Sequence, residues 1–142
     1  CNNGGLVLVM YDIYFGFSDD VKNAIVSEDR EALRKGVSDV QAAHDELMGA
    51  LDFKYPLAGQ LYPLYSYCKR LFSTVLYSLD VSVVDEADVI MKKLRNSFET
   101  AAADDKSAPL MDNAQKVYAG MTYGKGRLTE SFINDDNRGF LA

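Results

Sequence analysis

Apolar residues recur at alternating steps of four and three along much of the chain. One run is Leu33, Val37, Val40, His44, Leu47 and Leu51, with the single histidine of the sequence inside it. A second is Leu57, Leu61, Leu64, Cys68, Leu71, Val75 and Leu79, and a third is Val84, Ala87, Met91, Leu94, Phe98 and Ala101. This spacing places one apolar seam on a 3.6-residue helix, the pattern that packs helices side by side in bundles. An earlier segment offers Leu6, Met10, Ile13, Phe17 and Ala24 on one face and predicts one more helix. Links of two to six residues leave no room for long crossovers, so neighbouring helices run up and down. The predicted fold is all-α: an antiparallel up-and-down four-helix bundle in residues 1–106, then a C-terminal extension, 107–142, with one short helix.

Local signals suggest the boundaries. Ser27 is placed to cap the second helix, and Glu28, Asp29 and Glu31 put negative charge on its first turn. The stretch Asp52-Phe53-Lys54-Tyr55-Pro56 ends that helix. Pro63 has no N–H to donate, so the third helix is expected to begin near Tyr62 or to bend there. Asp80 or Ser82 can cap the fourth.

The first helix is apolar almost all round, with only Asp12 and Gly16 departing from the pattern between Leu6 and Phe17. If one face enters the bundle, a second face holding Val7, Tyr11, Tyr14 and Phe15 needs its own cover. Nine tyrosines and seven phenylalanines add to this. Tyr62, Tyr65, Tyr67 and Tyr77 fall on the third helix, and tyrosine suits interfaces because it buries a large ring while its hydroxyl stays wet. Together these features favour a groove that receives an amphipathic helix or an extended apolar segment.

Charge narrows the partners. The net charge is −6, carried by residues 1–106 with 11 Lys+Arg against 17 Asp+Glu, while 107–142 hold four of each. An acidic body is a poor ligand for a phosphate backbone, so nucleic acid is not expected. The apolar run from Leu6 to Phe17 is too short to cross a membrane. Two cysteines, Cys1 and Cys68, make no disulfide framework and fit a reducing compartment.

Catalytic chemistry finds little support. His44 reads as a seam-edge histidine held by a hydrogen bond. A di-iron bundle needs two Glu-x-x-His motifs, whereas Gln41 stands three residues before His44 and there is no second histidine. Cys68 sits mid-seam, where a thiol behaves as a small hydrophobe. Gly124-Lys125-Gly126 fails as a phosphate loop, with Ala119 and Gly126 at positions that require Gly and Ser/Thr. Asp85, Glu86 and Asp88 read as a solvated helix face. No enzyme, no metal and no cofactor are expected.

Two stretches carry a family resemblance. "LVLVMYD", Leu6 to Asp12, resembles the "LMLYD"-type motif of the flagellar secretion chaperones, the FliS family, and "LYSYCKRL", Leu64 to Leu71, resembles their "LYxYxxRRL"-type motif. "EADVIMKKLRNSF", Glu86 to Phe98, is similar to the family's last helix, with the resemblance covering about residues 5–103. Pro63 and the "CNNGG" start depart from the pattern. The resemblance implies a cytosolic four-helix bundle that holds the disordered C-terminal segment of flagellin, prevents its premature polymerisation and keeps it competent for type III export. It implies the flagellar export apparatus as a further partner, no membrane, and a monomer or weak dimer. The client groove is expected at Val7, Tyr11, Tyr14 and Phe15 with Tyr65 and Leu76, while Asp12 is expected to bond another helix. Alternative readings are a self-associating helical adaptor and a membrane-surface lipoprotein acylated at Cys1.

The extension is unusually apolar. Leu110, Ala114, Val117, Tyr118 and Met121 recur with helical spacing, and Gly124 can end such a helix. Val117, Tyr118, Met121, Tyr123 and Leu128 are candidates to occupy the client groove, in their own molecule or a neighbour's.

Overall fold

The computed structural model describes the backbone of residues 3–103 and side chains from 5 to 101. The extension 107–142 and its expected short helix lie outside the described residues. Four helices follow in order: α1 (Asn3–Ser27), α2 (Arg30–Gly49), α3 (Pro56–Ser78) and α4 (Val81–Ala103). The principal contacts are α1 with α2 and α4, and α3 with α2 and α4. Each helix therefore has two neighbours, and the short links make every neighbouring pair antiparallel. The expected all-α bundle is what forms.

The links differ in detail from the expected ones. Ser27 belongs to α1 and its hydroxyl donates to the Asn23 carbonyl at 2.9 Å. Asp29 is the cap of α2, accepting from the Ala32 N–H at 3.0 Å. A link this short turns on one left-handed residue, Glu28 at φ 58°, and that moves the cap two positions past Ser27. Helix α3 begins at Pro56, well before Tyr62, with Tyr55 as its cap. A proline fits the first turn, where N–H groups have no helical partner. Pro63 lies inside the helix and leaves the Gly59 carbonyl without its usual donor, and both residues are exposed, so water can serve instead. Leu79, left-handed at φ 54°, ends α3. Asp80 then accepts from the N–H and hydroxyl of Ser82 at 2.9 and 2.7 Å, as expected of a cap.

The expected seam of α2 is buried throughout, and that of α4 is buried at Val84, Ala87, Met91 and Phe98. Two helices are rotated from expectation. In α1 the core-facing seam is Val7, Tyr11, Tyr14, Ser18 and Val21, all fully buried. Leu6, Met10 and Ala24 flank it, and Ile13 and Phe17 are only partly buried. In α3 the core takes Ala58, Leu61, Tyr65, Cys68, Phe72 and Val75, leaving Leu57, Leu64 and Leu79 exposed and Leu71 half-buried. Both rotations have one cause. Large aromatic rings bury more area than leucine, and their hydroxyls find partners inside, so the tyrosine-bearing stripe wins the core. Against α2, α1 comes close enough that a Cβ on Gly36 would stand 2.9 Å from Val21 Cγ2.

Candidate interaction surface

Four of the six residues expected at a client groove offer no surface. Val7, Tyr11, Tyr14 and Tyr65 are completely buried and hold the bundle together. The hydroxyls of Tyr11 and Tyr65 share a hydrogen bond of 2.7 Å across the core between α1 and α3. Burial, added to by each other's proximity, pushes the Tyr11 hydroxyl pKa well up, so both phenols stay neutral. The second apolar face of α1 is therefore covered by its own bundle. Phe15 is half-buried on the α4 side of α1, between Asp12 and Lys22, which both pair with α4. Leu76 is exposed on the opposite edge, where Ser73 and Lys69 of α3 meet Gln41 and Asp45 of α2. These two do not share a surface. Val117, Tyr118, Met121, Tyr123 and Leu128 lie outside the described residues.

The α1/α4 edge is closed by charge. Asp88 accepts from the Tyr14 hydroxyl at 2.9 Å and the Ser18 hydroxyl at 2.7 Å, and pairs with Lys22 at 2.8 Å. Its side chain is 16% exposed, so the reading of Asp85, Glu86 and Asp88 as one solvated face fails at Asp88. No helical period reveals such a residue, because its donors come from a helix about seventy positions away. Burial and the adjoining carboxylate raise the Tyr14 pKa, while the hydrogen bond to Asp88 raises that of Lys22. Lys22 also reaches Asp85 at 3.2 Å, and Asp12 pairs with Arg95 of α4 at 2.8 Å, the interhelical role expected of it.

His44 is more isolated than expected. It is fully buried between the rings of Tyr14 and Phe72, at 5.0 and 5.8 Å, and among the described residues neither ring nitrogen has a hydrogen-bond partner. Burial, with the nearby Lys69 charge, pushes its pKa down to about 3. Cys68 is buried as a small hydrophobe, its thiol 3.9 Å from the Ala87 carbonyl and its pKa pushed up to about 12 by burial. Neither group is poised for chemistry. Among the described residues no cluster of three or more His, Cys, Asp or Glu is placed to hold a metal ion, and no helix is long and apolar enough to cross a membrane.

The junction of α3 and α4 is different. Its register is set by two contacts: Cys68 against Ala87, and a hydrogen bond from the exposed Tyr67 hydroxyl to Glu86. Helical spacing places Leu57, Leu64 and Leu71 between Cys68 and Tyr67 on α3. The same argument places Val83, Ile90 and Leu94 between Ala87 and Glu86 on α4. The antiparallel register sets Leu64 level with Ile90 and Leu71 level with Val83. Leu57 is 49% and Leu64 39% exposed, with Leu71, Val83, Ile90 and Leu94 partly buried. The result is a shallow apolar groove about 20 Å long, from Leu57 to Leu71 at 1.5 Å per residue. The ring of Tyr67, with the Arg70 guanidinium 5.9 Å above it, forms a polar-edged rim.

The motif residues now have structural roles. "LVLVMYD" supplies Val7, Met10 and Tyr11 to the core and Asp12 to the α4 pairing, and "LYSYCKRL" supplies the partner Tyr65, the rim Tyr67 and two of the groove leucines, Leu64 and Leu71. No curated protein matches the chain. The family model of the flagellar protein FliS matches residues 2–105, essentially the whole bundle, and the chain belongs to that family of flagellar export chaperones.

Proposed function

We propose that this bundle is a cytoplasmic chaperone for flagellin, holding its C-terminal segment as an amphipathic helix in the α3/α4 groove until export. The observation that carries the reading is the leucine stripe of α3, with Leu57 and Leu64 exposed and Leu71 half-buried, facing the partly buried Val83, Ile90 and Leu94 along the outer side of the α3/α4 junction. The α1/α4 edge is closed by the pairs Lys22–Asp88 and Asp12–Arg95, and the α2/α3 edge by Lys69–Asp45. A helix laid in such a groove anchors through residues at i, i+3, i+4 and i+7. Binding covers its apolar face, and that burial offsets the cost of ordering a disordered client. The process needs no covalent step. Prevention of filament assembly follows, because a segment folded onto the chaperone is withheld from its neighbours in the filament. Delivery to the export apparatus completes the proposed cycle.

The test is calorimetric titration with a peptide of about forty residues from the flagellin C-terminus, accompanied by circular dichroism. The expected result is a heat of binding with a gain of helix, and at least about tenfold weaker binding for Leu64→Glu, which puts an unpaired charge at the groove centre. No heat and no helix gain at micromolar concentrations would sink the reading. Leu64 is partly exposed in the free bundle, so its substitution leaves the core alone.

A further inference from the structure

Resting on the α3/α4 groove as the client site, we propose that residues 110–123 of the same chain occupy that groove when client is absent. Five features of the molecule converge on this occupant. Helix α4 ends at Ala103, at the end of the bundle where α3 begins, so the chain leaves the described residues beside Leu57. Residues 104–109 span up to about 20 Å when extended, enough to turn back into the groove from that end. The apolar positions Leu110, Ala114, Val117, Tyr118 and Met121 form one stripe when wound as a helix, and a helix over 110–123 is about 20 Å long, the length of the groove. Gly124 follows directly, a residue suited to stopping a helix at that point. The groove is apolar, with Leu57 and Leu64 exposed and Leu71, Val83, Ile90 and Leu94 partly buried, and 110–123 carry only Asp112 and Lys116 as charges, so little charge is desolvated on docking.

The groove offers its occupant only one shallow apolar face. The segment competes with flagellin through occupancy. A groove filled nine-tenths of the time weakens the apparent client affinity about tenfold, and the client wins by offering a longer apolar face. Because the segment is tethered, its occupancy is independent of protein concentration.

Methyl NMR of the full chain tests this without flagellin. Val117→Asp with Met121→Asp breaks the stripe outside the bundle. The methyl signals of Leu57, Leu64, Leu71, Val83, Ile90 and Leu94 are expected to shift in this variant, while those of Val37 and Leu47 in the core stay fixed. Adding a synthetic peptide of residues 107–128 to the variant is expected to return the groove signals toward their original positions. Groove methyls unchanged between the two chains would overturn the proposal. So would groove signals that move on dilution of the unsubstituted chain, since that places a second copy's segment in the groove. Titration of the flagellin peptide into the same pair separates the two claims. Shifted groove methyls with unchanged flagellin affinity would uphold the occupant and refute the groove as the client site. Tighter flagellin binding by the variant, about tenfold, supports both.

Discussion

His44 gives the bundle a pH dependence that one substitution should remove. The side chain is packed between Tyr14 of α1 and Phe72 of α3, with both ring nitrogens unpartnered among the described residues. The charge of Lys69, itself paired with Asp45 at 2.7 Å, acts on it and further disfavours a second cation. The folded pKa of about 3 lies below the usual 6.5, so the unfolded chain takes up the proton first. Stability is therefore complete above pH 6.5 and falls as pH drops from there toward 3. Between pH 7 and pH 5 the loss is about 2 kcal/mol, a value set by the unfolded histidine and insensitive to the folded pKa while that stays well below 5. No other histidine contributes in this window. Urea unfolding followed by far-ultraviolet circular dichroism at the two pH values measures the difference. His44→Leu should reduce it to less than about 0.5 kcal/mol and raise stability at pH 7 by about 1–3 kcal/mol, because no buried nitrogen is left without a partner. Equal pH-dependent losses in the two proteins would refute the reasoning.

Other outcomes follow from the same contacts. Tyr65→Phe strands the buried Tyr11 hydroxyl and should cost about 1–3 kcal/mol, whereas Tyr11→Phe with Tyr65→Phe together should cost less than the single changes summed, as a double-mutant unfolding cycle will show. Asp88→Ala releases Tyr14, Ser18 and Lys22 at once and should lower stability by about 3 kcal/mol in urea unfolding, more than Asp85→Ala, whose carboxylate is 58% exposed. Cys68, buried and with its thiol held protonated, should resist a thiol-specific reagent at pH 8 and react only at the rate of unfolding.

Helix number, order and approximate length are legible from period alone, because an apolar seam repeated over five turns requires a helix with one buried face. Which of two adjacent seams faces inward is not. In α1 the buried seam contains Ser18 and two tyrosines, and in α3 it contains Tyr65, all of which look like surface when each residue is judged by its own polarity. Their burial depends on partners in other helices: Tyr11 with Tyr65, and Tyr14 and Ser18 with Asp88. The same long-range pairing hides Asp88, which sits among acidic neighbours that do face water. Reading the leucines of α3 as core conceals the groove, since it gives Leu57, Leu64 and Leu71 the interior that Tyr65 and Phe72 fill. One rotation of each helix thus moves the candidate client surface from α1 to the leucine stripe. Asp12 is legible because a lone carboxylate on an apolar helix has to find a partner.

Client binding at the α3/α4 junction is tested most directly by a methyl NMR footprint of bound flagellin peptide. Shifts and intermolecular contacts are expected at Leu57, Leu64, Leu71, Val83, Ile90 and Leu94. The core methyls of Val37, Leu47 and Val75 should remain unmoved. A footprint centred instead on Phe15 and Leu8 of α1, or on Leu76, would contradict it.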